Sequence, residues 1–518
     1  MATRVQNSKK NLIMNVISQV ITLILSFVSR SVFISTLGVD YLGVNGLFLN
    51  ILSVLSLAEL GVGTAIVFSM YRPLVDHDER KLAALTGYYK KLYNIIAVIV
   101  LCVGLCIFPF LDYIVNLDSP IPNVKYYYLM FLAEAVSSYL LIYKTSIIQA
   151  DQKGYILTRN RAIANIITVV LQIVVLVLTQ DYILYLVIHI AIPLLCNIYN
   201  SRAAVKMYPY INLKEELPKE EKKNIWTNIK SMFLYKIGGV ILNNIDNILI
   251  SIIISTTVVG LYSNYSMIIS RITTFASLIF TSVQASLGNF NVNADKEKQL
   301  HIFKVLSMIS FWVYGFCSVC FCVLFQDFIT IWLGDAYLLD YDVMLIAVAN
   351  FYFQGVLYPV WCFRQTTGLF RDTKYTMLAA SAVNLILSIV LGNVWGLFGI
   401  LFATAIARLT TNLWFDPMVL FRKYFKEPVW KYYVREILQF VGLCCVIFLS
   451  MFVFHLLDNM NIYIRFIIEL IYCILVPNMF MILYYFKKPE FKYVLQKVIK
   501  GKRYQEKGDH KQDGEANN

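Results

Sequence analysis

The sequence predicts an all-α polytopic membrane protein of about fourteen transmembrane helices, arranged as two six-helix lobes with two further helices at the C-terminus. Three observations predict it. Of 518 residues, 58% are hydrophobic and 15% charged, against about 45–50% and about 25% in soluble domains. The apolar residues gather into runs that reach the roughly 20 residues a helix needs to cross a bilayer. With the N-terminus on the cytoplasmic side, 38 of the 45 Lys and Arg residues fall on that side, as the positive-inside rule demands. The net charge of +13 therefore reports topology rather than nucleic-acid binding. A water-soluble enzyme, a disordered chain and a secreted disulfide scaffold are excluded. The runs are continuously apolar rather than alternating, which excludes a membrane β-barrel.

Residues 1–10 are polar and basic, with Arg4, Lys9 and Lys10. The apolar run that follows, 11–36, is too long for a signal-peptide core and reads as a retained first span. Its Asn15, Ser18, Gln19, Thr22, Ser26 and Arg30 recur every three or four residues and share one face. Span 2 (42–70) does the same with Asn50, Ser53, Ser56, Glu59 and Gly63. Span 3 (92–115) holds almost no hydrogen-bonding side chain and is expected to face lipid. Spans 4 (126–149), 5 (162–179) and 6 (182–202) complete a first lobe over 1–201, and the basic segment 202–232 links it onward.

Span 7 (233–255) carries Asn243, Asn247, Ser251 and Ser255, with Asp246 at the shoulder of the stripe. Span 8 (258–290) has the longest stripe, from Ser263 through Ser266, Ser270, Thr274, Ser277 and Thr281 to Gln284, with Arg271 beside it. Spans 9 (302–326), 10 (341–365), 11 (375–392) and 12 (395–418) complete a second lobe over 233–420. Spans 13 (436–456) and 14 (462–486) follow within 421–486, and span 13 is again expected to face lipid. The tail, 487–518, is basic. Its Phe491, Val494, Leu495 and Val498 share a face ringed by lysines, a pattern suited to an anionic lipid surface.

Ionisable groups at membrane depth cost about 2.5–3.5 kcal/mol each on insertion scales, so they face protein or a wet cavity. Arg30, Glu59, Asp246 and Arg271 are the leading candidates for such a cavity. Lys144 and Lys236 sit near inner ends and can snorkel. Arg408 and Glu134 are weaker candidates; His189 and His455 stand isolated and read as structural. The ten cysteines lie within apolar runs and read as packing residues. Cys317-x-x-Cys320 lacks the second pair that a zinc site needs. The chain has no phosphate-binding G-x-x-x-x-G-K-[ST] loop and no H-E-x-x-H. Neither ATP coupling nor metal hydrolysis is expected, and no cofactor beyond a coupling H+ or Na+. The outer loops are short, the longest being Asp327–Asp340, which leaves little room for the external catalytic domain of a membrane polysaccharide polymerase.

The two lobes read as copies. YLGVNGLF (41–48) and VVGLYSNY (258–265) each join the first two helices of a six-helix set. Matching Gly43 to Gly260 gives an offset of 217 residues and sets Arg30 opposite Asn247. An even number of spans separates the copies, so the lobes run parallel.

SRSVFISTLGVDYLGVNGLFLNILSVLSLAELGVGTAI (29–66) resembles the opening of bacterial polysaccharide-export flippases. IGGVILNNIDNILISIII (237–254), SLGNF (286–290) and FITIWLGDAYLL (328–339) resemble their second-half landmarks. These proteins belong to the multidrug/oligosaccharidyl-lipid/polysaccharide exporter superfamily. The resemblance, over residues 8–420, implies two lobes around a central cavity lined by spans 1, 2, 7 and 8, the four that the polar stripes single out. It implies a non-enzymatic transporter of the bacterial cytoplasmic membrane, with both termini inside. The implied substrate is an undecaprenyl-diphosphate-linked oligosaccharide, a repeat unit for capsule, exopolysaccharide or a teichoic-type polymer, moved from the inner to the outer leaflet by alternating access. Arg30 and Arg271 would hold the diphosphate, since the guanidinium fork suits phosphate. Asn15, Gln19, Asn50, Asn243, Asn247, Ser270, Thr274 and Gln284 would meet the sugar. Asp246 or Glu59 would bind the coupling ion or form an ion pair. Expected partners are the lipid-linked substrate, anionic lipids, and the polymerase and glycosyltransferases of the pathway, but no nucleic acid. The related lipid II flippases are an alternative, although this chain lacks their several arginines in the first two helices. A drug/cation antiporter is another, although such exporters usually stop at twelve spans.

Overall fold

The computed structural model describes residues 4–497 apart from 60–61, 118, 294, 370–371, 374 and 458. The expected tail beyond 497 lies outside the described residues; 489–497 are helical. All regular structure among the described residues is helical.

The helices in chain order are α1 (Arg4–Leu37), α2 (Val39–Leu55), α3 (Val62–Val75), α4 (Glu79–Ile107), α5 (Leu111–Ile114), α6 (Val124–Ile142), α7 (Ser146–Ala150), α8 (Gly154–Thr179) and α9 (Tyr182–Met207). They continue with α10 (Lys219–Ile253), α11 (Thr256–Asn293), α12 (Lys296–Leu333), α13 (Tyr341–Thr366), α14 (Thr376–Thr410), α15 (Asn412–Val419), α16 (Trp430–His455) and α17 (Ile462–Tyr485). Among the described residues, ten stretches are long and apolar enough to cross a membrane, and three shorter apolar helices accompany them, at Val39–Leu55, Ala65–Val75 and Ile237–Ile253. Each of the fourteen expected spans falls on helix.

Several spans depart from a plain rod; span 4, for example, crosses a turn at 143–145 between α6 and α7. Span 2 is expected as one helix but consists of α2, a 3-10 turn at Ser56–Glu59, and α3. The Ser56 hydroxyl donates to Ser53 O at 2.6 Å at this turn, competing with helical bonding. Span 11 and most of span 12 fall within α14, which breaks at Gly396, where φ is 57° and ψ −136°; span 12 ends in α15, beyond Thr411. A side chain there would be strained, so glycine reverses the chain. Across the break, a Cβ on Gly392 would meet the Ile400 side chain and one on Gly399 would meet Leu391 O.

The chain divides into two compact units, Met1–Met267 with Lys374–Ala407, and Ile268–Thr373 with Arg408–Asn518. In the first, α1 lies along α8. The Asn11 amide donates to Gln152 O at 3.0 Å, and its Oδ1 accepts from the backbone N–H of Tyr155 at 2.6 Å, capping α8. Phe33, Tyr41, Tyr127, Tyr182 and Tyr185 interlock edge to face. In the second unit, α12 is the central helix, with Phe303, Phe311 and Tyr314 wholly buried. The apolar side chains of α4 and α16, such as Ile95, Val98, Ile437, Val441 and Phe448, are exposed, in keeping with helices that face lipid.

Candidate functional site

The first site element is a corner built twice. Gly38 (φ 85°) turns the chain from α1 into α2. The corresponding turn from α10 into α11 lies at Ile254–Ser255. The two turns pack on each other within the first unit. A Cβ on Gly43 would fall well inside 3.0 Å of Thr256 O, and one on Gly260 well inside 3.0 Å of Val39 O. Thr257 Oγ1 donates to Asp40 Oδ1 at 2.5 Å. Val39 and Thr256, Asp40 and Thr257, and Gly43 and Gly260 are all related by the 217-residue offset read from the sequence. The contact is therefore reciprocal: each copy's glycine admits the other copy's backbone. Loop residues hold the second turn in place. Asn116 donates through Nδ2 to Ile254 O at 2.9 Å, and its carbonyl accepts from the Thr256 N–H at 2.5 Å.

One to two turns from this corner, Arg30 crosses from α1 to α11. Its Nη1 donates to Ser263 Oγ at 2.7 Å and to Asn264 Oδ1 at 3.3 Å. Both acceptors are neutral, so these bonds leave the guanidinium charge intact. Arg271 lies further along α11, in the second unit. It is half-buried, and its Nε is buried without a hydrogen-bond partner among the described residues. Arg30 and Arg271, paired in the sequence reading, thus belong to different units.

Glu59 lies at the 3-10 break. The Tyr93 hydroxyl donates to Glu59 Oε1 at 2.6 Å, and Tyr89 donates to Tyr93 at 3.1 Å. Gly63 makes room for both hydroxyls.

Asp246 meets partners that the sequence reading did not single out. Thr404 Oγ1 donates to Asp246 Oδ2 at 2.9 Å. Asn384 Nδ2 donates to Thr404 Oγ1 at 2.7 Å and to Ser388 Oγ at 3.3 Å. Asn384, Ser388 and Thr404 are all buried. The Oδ1 of Asn384 and of Asn247 are buried without a hydrogen-bond partner among the described residues. The result is an oxygen-rich nest with one carboxylate. Its sequence signal was the i, i+3, i+7 run Ser381, Asn384, Ser388, with Thr404 brought back by the Gly396 reversal.

The stripe residues divide. Asn15 Oδ1 accepts from Thr158 of α8 at 3.3 Å, and Asn165 donates to Thr22 at 3.5 Å, so part of the α1 stripe meets a neighbouring helix. Asn50, Asn243 and Thr274 donate to carbonyls one turn back on their own helices, Gly46, Gly239 and Ser270. Gln19 is half-buried and Ser270 exposed. Gln284 donates to Gln365.

His189 is not isolated, contrary to the sequence reading: its Nε2 lies 3.5 Å from Glu134 Oε2. The two helices that carry them, α6 and α9, pack together, which a separation of 55 residues in the chain does not reveal. Arg408 donates to Asn350 O at 2.7 Å.

The model of a family described as polysaccharide biosynthesis protein matches residues 8–284. No curated protein matches in sequence. Among solved structures, the lipid II flippase MurJ in an inward closed conformation is similar, with a TM-score of 0.66 and 18% identity, covering 91% of this chain and 98% of that one. An inward-facing multidrug resistance MATE family transporter of the MOP superfamily is similar with a TM-score of 0.52 and 14% identity, covering 76% of this chain and 94% of that one. At these identities the likeness concerns the fold.

Proposed function

The chain belongs to the polysaccharide biosynthesis protein family, and we propose that it moves undecaprenyl-diphosphate-linked oligosaccharides from the inner to the outer leaflet of the bacterial cytoplasmic membrane. The observation that carries this reading is Arg30 on α1, donating to the neutral side chains of Ser263 and Asn264 on α11. A guanidinium at membrane depth offers a phosphate a planar fork of donors. Arg271, also at membrane depth, is the second phosphate donor in this reading. The bilayer solvates the lipid tail, and the amides and hydroxyls of α1, α10 and α11 supply hydrogen bonds for sugar hydroxyls.

Transport in this reading is alternating access between the lobes of spans 1–6 and 7–12, with both termini cytoplasmic. The reciprocal corner between the α1–α2 and α10–α11 turns is the contact that must open to release substrate outward. The Asp246 nest takes the coupling cation. Oxygen donors from a carboxylate, an amide and hydroxyls suit a hard ion such as Na+. The polymerase and glycosyltransferases of the pathway would consume and supply the substrate.

The test is flipping in reconstituted vesicles, using a labelled undecaprenyl-diphosphate saccharide and a reagent that reacts only at the outer face. Arg30→Ala and Arg271→Ala are expected to abolish flipping at normal protein levels. Full activity in both variants rejects the phosphate assignment. The likeness to MurJ favours one second reading, in which the cargo is lipid II. Rescue of cells depleted of their lipid II flippase would select it.

A further inference from the structure

We propose that Glu134 and His189 form a proton-binding site inside the first unit, separate from the Asp246 nest, and that its charge acts on Arg30. Coupling of this site to transport rests on the flippase reading above; the existence of the site does not.

The pair sits on two packed helices that carry the expected spans 4 and 6, Glu134 near the middle of α6 and His189 about two turns into α9. The side chains are 27% and 30% exposed. A carboxylate and an imidazole left partly open at that depth are stable only where the open side is wet, and water carries protons to them. At 3.5 Å the nitrogen and oxygen are close enough to share charge and loose enough to part. Histidine is the side chain whose ordinary titration falls in the physiological range.

Among the described residues, most of the groups packed about the pair are aromatic or neutral; on α6, Tyr139 packs on Tyr93, which donates to Glu59. His189 Nε2 is the ion-pair partner of Glu134 Oε2. On α6, Phe131 covers the imidazole, with ring centroids 6.1 Å apart. From α2, the pair's neighbourhood receives apolar Phe48, packed on Phe131. From α8 it receives the neutral Gln172, which donates to Tyr185 O at 3.4 Å. The α4 helix meets α6 through Tyr128, whose hydroxyl donates to Gly104 O. On α9, the titratable Tyr185 lies parallel to His189, with ring centroids 6.4 Å apart and 5° between the planes. Tyr185 in turn packs edge-on against Phe33 of α1, one turn along that helix from Arg30.

The direction of the effect follows from the charge. With imidazolium and carboxylate the pair is neutral. A proton gained on Glu134 Oε2 makes it net positive; a proton lost from His189 Nε2 makes it net negative. A net positive pair repels Arg30 across the Tyr185 ring, and a net negative pair draws it in. Protonation thus biases the Arg30 bridge from α1 to Ser263 and Asn264, which lies beside the reciprocal corner.

Infrared titration of the full-length protein in phosphatidylcholine vesicles, between about pH 5 and 8, tests the site without substrate. The wild type is expected to show a carboxylic C=O band that grows as pH falls. Glu134→Gln should delete that component, His189→Gln should shift the pH at which it appears, and Asp246→Asn should keep it. An identical titrating band in the wild type and Glu134→Gln overturns the proposal. In the flipping assay, wild-type rates are expected to respond to a pH gradient, and the response should be lost in Glu134→Gln. Flipping with an unchanged gradient response in that variant also overturns it. Absence of flipping by the wild type at any pH counts against the transport reading, and the infrared result then decides the pair alone.

Discussion

The two compact units treat buried charge differently. In the second, several buried arginines are answered by carboxylates, while Arg408 donates to Asn350 O. Arg364 and Asp416 meet at 2.5 Å with both side chains almost wholly buried, Arg435 meets Glu436 at 2.8 Å, and Arg465 engages both Asp327 and Glu469. In the first, the bonds described for Arg30, Glu59 and Asp246 run to neutral groups: Ser263 and Asn264, Tyr93, and Thr404. A salt bridge cancels charge and fixes geometry. A hydroxyl or an amide orients a charge without spending it. The comparison sets salt-bridged arginines, which hold the scaffold, beside charges that neutral groups help to orient.

The sharpest way to break that comparison is to unpair the scaffold. Arg364→Ala strands Asp416 in the core and is expected to lower stability by about 3–5 kcal/mol, read as thermal unfolding in detergent and as lost protein in the membrane. If Arg364→Ala instead leaves unfolding unchanged and stops transport, the division between units fails. Next in size is Gly43→Ala. Its methyl would press on Thr256 O, at about 1–3 kcal/mol for such overpacking. The expected result is failed transport at near-normal abundance, with Gly260→Ala producing the same defect. Arg30→Lys comes third. It keeps the charge but loses the fork, forfeiting hydrogen bonds of about 1.5–3 kcal/mol to a charged group, and vesicle assays should show flipping reduced but not abolished. Asn15→Ala should change stability by only about 0.6 kcal/mol, the average for hydrogen bonds between membrane helices, with transport retained. The smallest effect belongs to Lys125→Ala. It removes an exposed pair with Asp112 worth about 0–1 kcal/mol, and its unfolding curve should overlay the wild type.

Much of this architecture was legible in the residues, for physical reasons. Membrane thickness sets run length, so the spans could be measured off. Gly43 and Gly260 were legible as equivalent points of the repeat in YLGVNGLF and VVGLYSNY, but the close backbone approach that each admits was not. The 3-10 break at Glu59 was not legible, since Ser53 and Ser56 look the same in a continuous helix. Nor were the partners of the buried charges. Thr404 lies 158 residues from Asp246, and Ser263 lies 233 from Arg30. A contact between membrane helices leaves no local pattern, because each helix satisfies its own backbone and its neighbours are chosen by shape. His189 read as isolated for the same reason.

The reciprocal corner has the form of a two-fold dimer interface enclosed within one chain. In a symmetric pair of separate subunits, a residue on the axis must face its own copy. Two aspartates there would repel, and two threonines would leave no charged acceptor. Joining the copies in one polypeptide removes that restriction. Asp40 and Thr257 occupy equivalent places, yet one accepts and the other donates. A self-contact has become a complementary pair, something two identical chains could not have made.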